Sequence, residues 1–158
     1  MLPVERTWMV NPGQALDVGD RVLRALRPPV YDAPETMAVF DARTGHLFSS
    51  DCFGAVMQQP AESAAAIGPT ALHDGLALWA SIDAPWLAQI GRDSLIASCR
   101  TLRDLQPRLI LASHLPPAAG LDDRLYRGLE AALAMSPFVG PDQAAFERAT
   151  RAVEPAAV

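Results

Sequence analysis

The chain opens with short alternating segments and closes with longer periodic ones. Arg6 to Val10 reads as a short strand, and Asn11-Pro12-Gly13 as a turn. Arg21-Val22-Leu23-Arg24-Ala25-Leu26 intersperses arginine among apolar residues and reads as a half-buried strand. Pro28-Pro29 ends it, since proline cannot donate to a ladder. Met37 to Phe40 and His46 to Ser49 flank Asp41-Ala42-Arg43-Thr44-Gly45, a glycine-bearing loop of hairpin length.

The spacing then changes to that of a helix. Thr70 is placed to cap a helix carrying Leu72, Leu76 and Trp79. A longer helix is predicted from about Pro85, with Leu87, Ile90, Leu95, Cys99 and Leu102 on its apolar side. After Pro107, Arg108 to Ser113 reads as a buried strand, and His114 follows it. Asp122 or Asp123 starts a helix through Leu125, Leu129 and Leu133, which Ser136-Pro137 breaks. Gly140-Pro141 opens a last helix through Phe146, and Glu154 to Val158 is expected to fray. The order predicts an α/β fold: a mixed sheet with a hairpin and helices mainly on one face, not a doubly wound sheet. No glycine-rich nucleotide motif is present.

Composition adds limits. The 158 residues suit a single domain spanning 1–158, half of them apolar and 20% charged. No run approaches the roughly 18 apolar residues of a membrane span. MLPVERTW lacks a secretory pattern, which makes the cytoplasm the default. Net charge is −5, and all 13 basic residues are arginines without a dense stripe, arguing against a nucleic-acid surface. Cys52 and Cys99 are too few for a disulfide framework and read as reduced, buried thiols.

Asp32, Asp51 and His114 each follow a strand and enter a loop, where rigid scaffolds place functional groups. Carboxylate and imidazole suit zinc, iron and manganese, and a carboxylate can bridge two ions. On spacing alone, ordinary turn chemistry is the commoner explanation of all three.

Tyr31-Asp32-Ala33-Pro34-Glu35-Thr36-Met37 resembles a flavodiiron stretch, His-Trp-Pro-Asp-Ser-Met, and its histidine falls on Asp32. Leu47-Phe48-Ser49-Ser50-Asp51-Cys52-Phe53-Gly54 resembles Leu-Phe-Ser-Asn-Asp-Ala-Phe-Gly of the same family, with its aspartate on Asp51. Leu78 to Ile82 resembles the helix before that family's last strand. Leu109 to His114 resembles Ile-Ala-Pro-Ser-His, with the histidine on His114. The separation of Asp32 and Asp51 also agrees. Over residues 16–118, with a helical tail at 119–152, the chain thus resembles the C-terminal half of a metallo-β-lactamase-fold domain of the flavodiiron branch.

The resemblance implies part of an αββα sandwich and a metal site at strand ends, with Asp51 bridging and Asp32 and His114 beside it. Zinc, iron and manganese all qualify. It implies a metal-dependent hydrolase acting on a small molecule. The alternatives are a metal-poor scaffold or binding module, and the truncated half of a diiron protein that handles dioxygen or nitric oxide. Two departures stand against it: these residues contain no His-x-(His/Glu)-x-Asp-His cluster, and Asp32 stands where the family has histidine. The redox alternative also expects a flavin domain, which these residues do not contain. A half-sandwich would expose an apolar sheet face, so a homo-oligomer or a missing N-terminal half is expected to cover it. Elsewhere, His46 is expected to be exposed, His73-Asp74 a local pair, Cys52 a buried small residue, and Trp79 and Trp86 core or interface residues. Glu35 is placed to orient a ligand.

Overall fold

The computed structural model describes residues 3–120 and 122–153. Six strands form one sheet in chain order: β1 (Ala15–Asp17), β2 (Val22–Leu26), β3 (Ala38–Asp41), β4 (His46–Ser50), β5 (Leu109–Ala112) and β6 (Leu115–Ala118). Every neighbouring pair is antiparallel except β4 with β5, which run parallel. That pair needs a crossover, and the chain supplies α1 (Pro69–Asp83) and α2 (Arg92–Arg103) within it. Helices α3 (Asp122–Ala132) and α4 (Gln143–Val153) follow the sheet. The α/β class, the hairpin and the mixed sheet are as the sequence pattern implies.

Period two along the strands sorts the sheet faces. Phe40, Leu47 and Ile110 stand in register across β3, β4 and β5 and are buried. They share one core with Leu72, Leu76 and Ala80 of α1, Leu95 and Leu102 of α2, and Leu125 and Leu129 of α3. Val39, Phe48 and Leu111, the next row, occupy the opposite face, and Phe48 is 45% exposed there. The hairpin between β3 and β4 is tied by Asp41. Its carboxylate accepts hydrogen bonds from the Arg43 amide, the Thr44 hydroxyl and Arg21, each at 2.9 Å.

Several sequence expectations need correction. Arg6 to Val10 is no strand: Val4–Arg6 forms a 3-10 turn, and Trp8 and Met9 are exposed with no partner strand beside them. Helix α1 begins one residue before Thr70, with Gly68 as its cap and Pro69 at its first position, where proline's missing N–H costs nothing. The single long helix from Pro85 is two pieces, a 3-10 segment Pro85–Gln89 and then α2, separated by extended backbone at Ile90 and Gly91. Pro141 does not open α4; Asp142 caps it, its Oδ1 accepting from the Ala145 amide at 2.7 Å. Strand β6 was hidden by Pro116-Pro117, which an edge strand tolerates. His46 is half-buried within β4, not exposed. The segment from Glu154 lies outside the described residues. Among the described residues no helix is long and apolar enough to cross a membrane.

Candidate metal centre

Strand β4 ends in a tight turn that presents Asp51. Ser50 and Phe53 adopt positive φ, 56° and 70°, a conformation that costs a non-glycine residue energy and persists only where its surroundings enforce it. The enforcing contacts are local. The Ser49 hydroxyl donates to the Cys52 carbonyl at 2.8 Å, and the Gly54 amide to the Asp51 carbonyl at 2.9 Å. Phe53 is fully buried and meets Tyr126 edge-on at 5.3 Å. Cys52 turns into the core as expected, and burial pushes its thiol far above the usual range.

His114 occupies the turn between β5 and β6. The Ser113 amide donates to Ser50 O at 2.9 Å and the Ala55 amide to His114 O at 3.0 Å, so the two loops are laced together. Trp79 of α1 joins them as well. Its Nε1 donates to the Asp51 carbonyl at 3.1 Å, and its ring lies 4.2 Å from that of His114. This closeness requires Gly54: a Cβ there would fall 2.5 Å from Trp79 Nε1. Trp79 therefore positions the site, a role beyond core packing that its sequence pattern did not disclose.

Asp32 arrives on the loop after β2. Its Oδ1 accepts from the Thr36 hydroxyl at 2.8 Å. The preceding Tyr31 is held by Trp86, whose Nε1 donates to the Tyr31 carbonyl at 3.0 Å and whose ring packs 5.2 Å away. The Arg27 guanidinium lies over the Tyr31 ring, 5.1 Å from its centroid. Glu35 is exposed and is not part of the cluster.

The structure brings Asp32 and Asp51 together with a residue that was not expected, Asp83, and sets His114 beside Asp51. Asp32, Asp51 and Asp83 each offer a carboxylate oxygen, and these atoms lie within 4.8 Å of one another. His114 Nε2 stands 3.2 Å from Asp51 Oδ1. Two donors each about 2.0–2.2 Å from one ion and at near-tetrahedral or octahedral angles are separated by about 3 Å, so this spacing suits neighbouring ligands. Asp83 was missed by the sequence reading. It ends α1, where the helix dipole disfavours a carboxylate, and no basic residue stands in that last turn. That misplaced charge was the available signal.

Asp83 also tests whether a metal fits. Its Oδ2 is buried and lacks a hydrogen-bond partner. Burial, then the charges of Asp51 and Asp32, push its carboxyl up to about 6, and His114 opposes them. Among the described residues no arginine pairs with Asp32, Asp51 or Asp83. Three crowded carboxylates and an imidazole, with an orphaned oxygen and no balancing guanidinium, form a donor set that fits a divalent cation such as iron or manganese. A cleft of about 580 Å³ opens beside it, lined by Val56, Met57, Trp79, Ser113, His114 and Pro116 among others.

His73 and Asp74 are both exposed on α1, away from this centre. Cys99 is nearly buried, and desolvation raises its thiol to about 12.

No protein-family model matches the chain, and no curated protein does. Solved structures do. Rubredoxin oxygen:oxidoreductase from Desulfovibrio gigas superposes with a TM-score of 0.63 at 18% identity, over 80% of this chain and 31% of that one. A flavodiiron protein from Giardia intestinalis gives 0.61 at 17% identity, over 79% of this chain and 32% of that one. The apo state of a chemotaxis sensor from T. denticola gives 0.58 at 15% identity, over 77% and 48%. The chain thus spans about a third of the length of the first two. Likeness at these identities is a likeness of fold alone: the chain has the fold of part of these structures, a partial metallo-β-lactamase-like α/β domain.

Proposed function

We propose that this chain carries the carboxylate–histidine portion of a diiron-type centre that handles dioxygen or nitric oxide. The observation that carries the reading is the convergence of Asp32, Asp51 and Asp83, with His114 beside Asp51, from four different segments of the chain, and among the described residues no arginine neutralises them. The hydrolase reading, placed first on the sequence, gives way, because the solved neighbours include proteins named as an oxygen:oxidoreductase and as flavodiiron proteins. Nothing in the site favours hydrolysis specifically.

In this reading Asp51, which lies near both other carboxylates and His114, would be among the residues that hold the metal. His114 supplies a nitrogen donor, and Asp32 an oxygen donor oriented by Thr36. Trp79 fixes both loops and walls the cleft where a small molecule would enter. Iron bound here would supply the redox chemistry that these side chains lack. The remaining ligands and the source of electrons come from polypeptide beyond these residues. The partly open sheet face carrying Phe48 is covered by a second copy of the chain.

The test is elemental mass spectrometry of protein purified without added metal, for wild type, Asp51→Ala and His114→Ala, with circular dichroism to verify folding. Near-stoichiometric iron lost in both variants supports the reading. Near-stoichiometric zinc lost in both returns the hydrolase. Sub-stoichiometric metal unchanged by either substitution leaves a metal-poor scaffold and refutes the reading.

A further inference from the structure

We propose that Asp83 is itself a ligand of this centre, a third carboxylate that compensates for the imidazole absent at Asp32. The inference rests on the reading that the cluster holds a metal, and it concerns which of this chain's residues bind it.

Four observations converge on Asp83. First, it stands at the last residue of α1, where the carbonyl end of the helix repels a carboxylate, so the position costs stability without a compensating cation. Second, its Oδ2 is shut away from solvent with no hydrogen-bond partner, although an unsatisfied buried oxygen carries a desolvation cost. Third, a carboxylate oxygen lies within 4.8 Å of those of Asp32 and Asp51, close enough for one ion or a pair of ions to contact all three. Fourth, Trp79, one helical turn before Asp83, is bonded to the Asp51 carbonyl, which fixes the end of α1 against the turn carrying Asp51. A residue there for packing alone would be apolar; one there for an ion pair would face an arginine. Neither holds.

The consequence is a change in the kind of cation favoured. Replacing an imidazole nitrogen with carboxylate oxygens hardens the donor set, and hard oxygen donors suit manganese(II) better than imidazole-rich sets do. Manganese(II) is also a convenient probe, because the free aquo ion gives a strong electron paramagnetic resonance signal that falls on binding.

The experiment titrates manganese(II) into wild type, Asp51→Ala, Asp83→Asn, Asp83→Glu and Glu35→Gln, each verified for fold by circular dichroism. Glu35→Gln removes an exposed carboxylate outside the cluster and is expected to bind like wild type. Loss of an outer partner of a metal site already weakens binding by about tenfold or more, so Asp83→Asn is expected to lose at least that much. Asp83→Glu keeps the charge but displaces the oxygens, and is expected to fall between the two. Asp83→Asn removes charge repulsion, so its folding is not at risk. Wild-type affinity in Asp83→Asn, with binding lost in Asp51→Ala, overturns the role of Asp83 and leaves the centre standing. Wild-type affinity in Asp83→Glu alone, with Asp83→Asn weak, reduces Asp83 to a distant charge and also overturns the role. Wild-type protein that leaves the signal unchanged at millimolar manganese(II) overturns both the ligand and the metal-centre reading.

Discussion

Asp83 shows how much one residue's surroundings determine. A carboxyl pushed up to about 6 from 3.8 binds more protons in the folded chain than in the unfolded one over that window. Stability in metal-free protein therefore falls as pH rises through the window from about 4 to about 6, and levels off outside it. Urea unfolding at pH 5 and pH 7 reads this directly. Solvent reaches part of the group and screens the effect, so Asp83→Asn is expected to stabilise the metal-free protein at pH 7 by only about 1 kcal/mol. The same substitution is expected to remove most of the slope. An unchanged slope would mean that the cluster does not repel as its geometry implies. At this scale the sequence pointed to Asp32, Asp51 and His114 because each follows a legible strand. It concealed Asp83, since only the crossover brings the end of α1 to the strand ends.

Elements were legible where one periodicity ran uninterrupted. The strand β2, the glycine loop of the hairpin and the apolar run of β5 all lie in the fold where the sequence places them. Breaks were harder to read. The apolar spacing from Leu87 to Leu102 continues across Ile90 and Gly91, so periodicity alone joined two pieces that the backbone separates. Strand β6 carries two prolines and gave no strand signal; its place is set by pairing with β5. The packing of α1 on α3 supplies a prediction at this level. A Cβ on Gly128 would lie 2.5 Å from Leu76 Cβ, an atom fixed to its backbone that cannot swing aside. Alanine gains about 1 kcal/mol over glycine inside a helix, whereas forced overpacking costs about 1–3 kcal/mol. Gly128→Ala is thus expected to lower stability by about 1–2 kcal/mol in chemical denaturation. A gain would show that the two helices can separate without loss.

For the whole molecule, the row Val39, Phe48 and Leu111 supplies the prediction. Apolar surface on the side of a sheet away from its helices invites a cover. Light scattering on a calibrated column is expected to give a mass above one chain for wild type, and one chain for Phe48→Asp. A strictly monomeric wild type would rule out the second copy and leave a separate polypeptide as the cover.

The one parallel pair carries a consequence for how the chain folds. Asp51 lies just past the end of β4 and His114 just past the end of β5, so they become neighbours only when residues 51–108 have made their excursion and β5 has docked. Such non-local pairing is slow to form, because loop-closure entropy is lost before any contact compensates it. The centre is accordingly among the last features to assemble, and an ion held by both residues would act as a latch on the chain's longest closure, slowing its reopening more than it speeds its formation.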